Sequence, residues 1–358
     1  MFAAVNRRAA LLPLLLLLGA CTPVVRGAGP AQAPARIEPG WNAPLPRSAP
    51  RLSWAFGLQP PLPRPAGPDP VAALVMPDGM RLPLRRWEPQ GQPRFVALAL
   101  HGLNDHGGNF LEDAGPILAA GGVLLYAMDH RGFGWTATRG FWPGAAAMVA
   151  DARAAVALLR ERHLGLPFFL IGESMGGAVA LLADPPDVDG VILSAPAIWG
   201  GRYLSPLLRA PLNLAQRVVP AMAAHAGVGG IAASDNRAAL ERFARDPLTL
   251  REIRVDVVGG MVALMDEAVA ALPGLTGRAT PTLVMVGAKD AVVPAAIARR
   301  ALRDAGAPRV AMYPEGWHLL LRDRLRAEVA ADMLRFMANP ATPLPAEARG
   351  AAWLAQAD

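Results

Sequence analysis

The strongest constraint on this chain is a set of short, almost wholly apolar runs, each closed by a glycine, a proline or a compact polar motif. Phe95–Leu100 ends in His101-Gly102, and Val123–Met128 ends in Asp129-His130-Arg131-Gly132. Phe168–Ile171 runs into Gly172, Val188–Leu193 into Ser194-Ala195-Pro196, Thr282–Val286 into Gly287, and Arg309–Tyr313 into Pro314. Runs of this length with no alternation suit strands covered on both faces, as in a parallel sheet. Helix-like stretches lie between them. Gly144–Arg162 carries Ala146, Val149, Ala150, Ala154, Val156 and Ala157 at helical spacings, and Ala178–Ala183, Pro294–Ala305 and Leu325–Met337 read similarly. Pro294 suits a first helical position. Asp78-Gly79 between Val71–Met76 and Arg81–Trp87 predicts an opening hairpin. A hairpin followed by repeated β-α units is an α/β class, with a mostly parallel, doubly wound sheet. Ligands in such a sheet bind beyond the carboxyl ends of the strands, where each polar motif falls.

Gly172-Glu173-Ser174-Met175-Gly176 fits G-x-S-x-G between a strand and a small-residue helix. The glycines let the backbone pass close to a serine held on a sharp strand-to-helix turn, and the following helix N-terminus favours negative charge nearby. The plainer reading, a glycine-rich turn with an incidental serine, does not explain why strand, turn and helix coincide. Chain order then asks for an acid after a later strand and a histidine near the end. Asp290, in Gly287-Ala288-Lys289-Asp290, and His318, in Glu315-Gly316-Trp317-His318, meet it. The plainer reading of Asp290, a turn residue or helix cap, leaves its place in the serine, aspartate, histidine order unexplained. With Ser174 as nucleophile, His318 takes its proton and returns it to the leaving alcohol, while Asp290 orients the imidazole. The oxyanion needs two backbone donors, Met175 after the nucleophile and Leu103 in the loop after Phe95–Leu100. His101 and His106 in that loop invite a metal reading, but the spacing is not His-Glu-x-x-His, so no metal is expected. No dinucleotide or phosphate-binding fingerprint is present, and no cofactor is expected.

Arg7 and Arg8 precede the apolar run Ala9–Leu18, which ends in Leu18-Gly19-Ala20-Cys21. That is an export signal over 1–20, and the run is about half of the roughly 20 residues that span a bilayer. Leu18–Cys21 also resembles the bacterial lipobox, which makes Cys21, the only cysteine, a lipidation site and the membrane a partner. The expected location is the bacterial cell envelope, lipid-anchored on the periplasmic side, more in the outer than the inner membrane. Residues 21–69, rich in Pro, Ala, Arg and Gly, read as a tether, with Trp41, Trp54 and Phe56 as its apolar exceptions. Residues 70–340 read as the folded domain and 341–358 as a tail. The net charge of +6 is carried by scattered arginines rather than a basic stripe, so nucleic acid is not an expected partner. Nothing in the sequence sets an oligomeric state.

Several motifs in this order resemble the monoacylglycerol lipase and lysophospholipase group of the α/β-hydrolases. His101-Gly102-Leu103-Asn104-Asp105-His106-Gly107-Gly108 is similar to that group's H-G-x-x-E/D-H loop, and Asp129–Gly134 to its D-x-x-G-H-G segment. Gly172–Gly177 resembles its G-H/E-S-M-G-G turn, and Asp246-Pro247-Leu248 a D-P-L in its cap. The resemblance spans about residues 75–338 and implies an α/β-hydrolase fold with an inserted helical cap over about 199–278. It implies hydrolysis of one acyl ester on a small polar alcohol, with a monoglyceride or lysophospholipid as the small lipid ester substrate. By position, His101, Gly102 and Asp105 would contact substrate, Asp105 near the leaving group's hydroxyls. The group often has Arg-Tyr where this chain has Asn109-Phe110, which bears on headgroup recognition.

The cap's Leu204, Leu207, Leu208, Leu212, Leu214, Val218 and Val219 read as cap core, an acyl tunnel or a membrane-facing lid. Alternatives to a lipase are a short-chain or aryl-ester carboxylesterase, a peptidase, or a non-catalytic envelope lipoprotein. Epoxide hydrolase and dehalogenase chemistry needs a carboxylate where Ser174 stands.

Overall fold

The structure, a computed structural model, describes residues 23–46, 51–53, 57–225 and 231–356. The apolar runs line up in one nine-stranded sheet. Its strands are β1 (Arg36–Pro39), β2 (Ala72–Val75), β3 (Arg81–Trp87), β4 (Phe95–Leu100) and β5 (Val123–Met128), then β6 (Phe168–Glu173), β7 (Gly190–Ser194), β8 (Thr282–Gly287) and β9 (Val310–Tyr313). Their spatial order is β1-β2-β3-β5-β4-β6-β7-β8-β9. Pairing is antiparallel from β1 to β5 and parallel from β5 to β9. The strand at β7 begins two residues later than the apolar run that signals it, although Val188 is also buried.

Strand β4 shows why such runs are apolar throughout. Val96, Leu98 and Leu100 enter one core cluster, while Phe95, Ala97 and Ala99 enter another on the opposite face. The first face is covered by α3 (Ala145–Arg162), α4 (Met175–Ala183) and α8 (Ala295–Asp304), the second by α1 (Gly107–Leu111), α2 (Gly115–Ala120) and α9 (Arg326–Ala338). Pro294 is the N-cap of α8 rather than its first helical residue, with extended φ −49° and ψ 122°. Between β7 and β8 the chain builds the cap from α5 (Pro206–Val218), α6 (Arg237–Arg245), α7 (Val255–Ala271) and a small ribbon pairing Ala223–His225 with Glu252–Arg254.

Both ends of the chain depart from expectation. The segment expected to be a tether supplies the edge strand β1, paired with β2 from Arg36↔Val75 to Pro39↔Ala72. Its backbone is held by distant carboxylates: Val24 N–H donates to Asp256, Gly29 N–H to Asp78 and Ala66 N–H to Asp246, at 3.1, 2.9 and 2.7 Å. Trp41 packs edge-on against Trp135, whose Nε1–H donates to Pro44 O at 2.9 Å. Much of the docking is by backbone N–H groups on carboxylates, which hydropathy does not register. Trp54 and Phe56 lie outside the described residues, as do Cys21 and the export signal. The expected C-terminal tail is helix α10 (Pro345–Leu354), packed on β9 with Trp353 buried.

Candidate active site

Ser174 is the single residue between β6 and α4, at φ 54° and ψ −116°. A non-glycine residue there carries strain of about 1–3 kcal/mol and is held by its surroundings. Its N–H donates to Ser194 O at 3.0 Å, and its carbonyl accepts from Ala197 N at 2.9 Å and Ala178 N at 3.1 Å. The two outer glycines of the motif are required by close approach. A Cβ on Gly172 would run into the Gly176 backbone, and one on Gly176 into the Leu100 carbonyl. Helix α4 starts at Met175, three residues before the predicted start, so the Met175 N–H opens the helix beside Ser174, where the first-turn amides lack helical partners. Leu103 lies half-buried in the loop after β4, just before Asn104 at φ 64°. Gly102 borders the serine: a Cβ there would sit 3.2 Å from Ser174 Cβ and 3.7 Å from its Oγ.

Asp290 follows β8 and His318 follows β9, so all three residues stand at the carboxyl edge of the sheet. His318 Nδ1–H donates to Asp290 Oδ2 at 2.8 Å, which leaves Nε2 as the acceptor of the neutral ring. Asp290 Oδ1 accepts from Val292 N and Val293 N at 2.8 and 2.9 Å. Asp290 is thus both turn residue and imidazole partner, one oxygen for each task. Burial disfavours the His318 cation, but the charges of Asp290 and then Glu173 outweigh it and raise its pKa above the usual imidazole value.

The loop residues assigned to substrate behave differently. His101 is fully buried, with Nδ1–H donating to Gly102 O at 2.7 Å and Nε2 accepting from His130 N at 2.9 Å. Both nitrogens are spent on joining two loops, so His101 shapes the loop that carries Gly102 and Leu103. Asp105 is also buried. Its Oδ2 accepts from Arg322 at 2.6 Å, and its Oδ1 from Asn109 Nδ2 at 2.8 Å and His106 N at 2.9 Å. Three of its roughly four acceptor sites are thus held by protein groups, so in this structure Asp105 supports Arg322 and the loop. Gly102 borders Ser174 directly.

The residue that sequence reasoning missed is Arg322. Its guanidinium is fully buried between Asp105 and Glu173, donating to Glu173 Oε1 at 2.5 Å. Glu173 occupies the variable position of the serine motif, and its other oxygen has no partner. Burial pushes the Glu173 carboxyl up, against the pull of Arg322 and His318, to about 7. Burial likewise disfavours the Asp105 carboxylate, but Arg322 together with His106, His101 and the Asn109 hydrogen bond outweighs it, and Asp105 is held below the ordinary range. No motif signals Arg322, because its partners come from the loop after β4 and the end of β6. The Asp246-Pro247-Leu248 segment is pinned as well: Asp246 Oδ2 lies 3.0 Å from His106 Nε2, and Arg139 donates to the carbonyls of Pro247, Leu248 and Thr249. Among the described residues, no three His, Cys, Asp or Glu side chains assemble as a metal site.

Residues 91–325 match the model of the Hydrolase_4 family, described as serine aminopeptidase S33. The chain belongs to that family. This hydrolase is 27% identical over 226 residues to the monoacylglycerol lipase of Mycolicibacterium smegmatis, covering 62% of this chain and 79% of that protein. It is 28% identical over 225 residues to human monoglyceride lipase, covering 61% and 72%. Among solved structures, a soluble variant of yeast monoglyceride lipase superposes with a TM-score of 0.60 at 19% identity, over 74% of this chain and 93% of that one. The Paleococcus ferrophilus monoacylglycerol lipase does so with a TM-score of 0.57 at 22% identity, over 72% and 98%. The protein is a monoacylglycerol lipase-like α/β-hydrolase, an enzyme acting on carboxylic esters.

Proposed function

We propose that this hydrolase cleaves the ester of a single-acyl lipid, a monoacylglycerol or lysophospholipid, through an acyl enzyme on Ser174. The observation that carries the reading is the strained Ser174 turn at the head of α4, on the same sheet edge as the hydrogen-bonded Asp290–His318 pair. His318 Nε2 accepts the Ser174 proton as Oγ attacks the ester carbonyl, and the new cation is stabilised by Asp290. The Met175 and Leu103 N–H groups receive the oxyanion. The imidazolium then protonates the departing alcohol, and water repeats the sequence to release the fatty acid. The relatives' names support the single-acyl substrate class.

The envelope location rests on the lipobox-like Leu18-Gly19-Ala20-Cys21. Incorporation of labelled palmitate by the full chain in a bacterial host, lost in Cys21→Ala, checks it.

The deciding experiment compares the full chain with Ser174→Ala on glycerol monoesters and lysophospholipids of increasing acyl length. Turnover that peaks on long single-acyl esters and vanishes in the variant is the expected result. Ser174-dependent activity confined to short esters would replace the lipase by a carboxylesterase. The family's aminopeptidase description keeps a second reading, favoured if the Ser174-dependent rate is higher on amino-acid arylamides than on any ester.

A further inference from the structure

Of the seven apolar cap residues singled out in the sequence only Leu204 is buried, so they do not form a core of the cap. The cap is instead joined to the catalytic loops through the polar ends of α6, whose nine residues span about 14 Å. At the start of the helix, the cap meets the loop that carries His318. Buried Ser234 donates its hydroxyl to Asp323 Oδ1 at 2.5 Å, and Asp323 Oδ2 accepts from Trp317 N–H at 2.7 Å. On the other side of His318, Leu319 N–H donates to Ala233 O at 2.9 Å. The residues before and after the histidine are thus both held, one by the cap directly and one through a carboxylate that the cap holds. Asn236, the N-cap of α6, accepts from Ala239 N–H at 3.3 Å and donates through Nδ2 to Arg322 O at 2.8 Å.

The far end of α6 meets the loop after β4, which carries Leu103. Arg242 Nε donates to Asn109 Oδ1 at 3.3 Å, and its guanidinium pairs with Asp113. Asn109 passes the contact on, donating through Nδ2 to Asp105 Oδ1 at 2.8 Å. Asp246, the C-cap of the helix, places Oδ2 3.0 Å from His106 Nε2. His106 Nδ1 accepts from Gly108 N–H and Asn109 N–H at 3.2 and 3.4 Å, so the same histidine caps α1. Between the two ends, the Phe243 ring lies 5.9 Å from the Arg322 guanidinium, and the middle of α6 rests on the cation between Asp105 and Glu173.

We propose that α6 is a strut that fixes the histidine loop against the oxyanion loop, with Ser234 and Arg242 as positioning residues for the reaction at Ser174. His318 Nε2 must reach the Ser174 proton while Leu103 N–H reaches the oxyanion, and these groups stand on loops that follow different strands, β9 and β4. Buried hydrogen bonds whose partners are satisfied make such a connection stiff. Stiffness matters because a displacement of about 1 Å at a reacting group costs about a hundredfold in rate. The cap thereby acts on the chemistry whatever acyl chain the substrate carries. This deepens the proposed ester hydrolysis and rests on that reading for the reaction that the strut serves.

The test compares the full chain with Ser234→Ala, Ser234→Thr and Arg242→Met on an acetate ester and on a long-chain monoacylglycerol. Rates are expressed per site titrated by a fluorophosphonate, so that a misfolded fraction does not count. Ser234→Ala and Arg242→Met should each lower kcat about ten- to a hundredfold, by the same factor on both esters, with KM for the acetate ester changed less than about threefold. Ser234→Thr keeps the hydroxyl and should recover most of the kcat lost in Ser234→Ala. A loss confined to the long ester, or carried by KM, overturns the proposal and makes α6 a wall of the acyl site. Unchanged kcat with a lowered thermal midpoint also overturns it, because the bonds would then serve stability alone. If Ser234→Ala yields no titratable protein, Arg242→Met decides from the other end of the helix. Absence of ester turnover in the wild type would refute the proposed function instead. The strut is then judged by the rate at which the fluorophosphonate labels Ser174: a similar fall in the variants supports it, and unchanged labelling overturns it.

Discussion

Glu173→Gln removes the only ionisable group of Glu173 while keeping its shape and an oxygen to accept from Arg322. Burial raises this carboxyl from 4.5 to about 7, against the pull of Arg322 and His318. That displacement corresponds to about 3 kcal/mol of preference for the neutral acid in the folded protein. The native state therefore keeps a proton that the unfolded chain releases above pH 4.5. The contribution is fully present below that value and is lost as pH rises through about 7, where the buried carboxylate forms. Glutamine does not titrate. Relative to wild type, Glu173→Gln should thus gain about 3 kcal/mol of stability between acidic and alkaline pH. Urea unfolding of both full chains at each end of the window measures this, and the difference between them cancels other titrating groups, including Asp323, which burial raises to about 6. The same substitution removes a negative charge that favours the His318 cation, so the acid limb of kcat/KM should move to lower pH. A stability difference that does not vary with pH would refute the reasoning. So would one that falls as pH rises, because it would mean that Glu173 is already ionised and net stabilised by Arg322 at acid pH.

Arg322→Met leaves Asp105 and Glu173 buried without their shared cation and should cost about 3–5 kcal/mol, read as a lower urea midpoint at neutral pH. Gly102→Ala places a methyl 3.2 Å from Ser174 Cβ; kcat should fall by about one to two orders of magnitude, consistent with displacement at a reacting group, while the thermal midpoint changes little. Trp353→Ala should destabilise by about 3–5 kcal/mol, because α10 is part of the packed domain; a loss under about 1 kcal/mol in chemical unfolding would return it to the status of a tail.

The parallel sheet and the motif positions were legible because each depends on local pattern. A strand covered on both faces must be apolar at every position, so Phe95–Leu100 and Val123–Met128 show themselves in the sequence, and the Ser174 turn declares its glycines for the same steric reason that requires them. The order serine, aspartate, histidine along the chain is likewise a property of the fold's connectivity. What the tertiary structure alone decided is where polar groups at great separation meet. Asp105, Glu173 and Arg322 become one buried cluster only when two loops meet the end of β6, and that meeting makes Asp105 a support for Arg322. The amino-terminal segment docks through backbone N–H groups donated to Asp78, Asp246 and Asp256, a kind of attachment that leaves no hydropathic trace. The direction in which α5 faces was also undetermined. Its periodicity marks an apolar stripe, but which side of the helix meets the protein is set by Arg209 on Asp266 and Gln216 on Gly259, contacts made by distant parts of the chain.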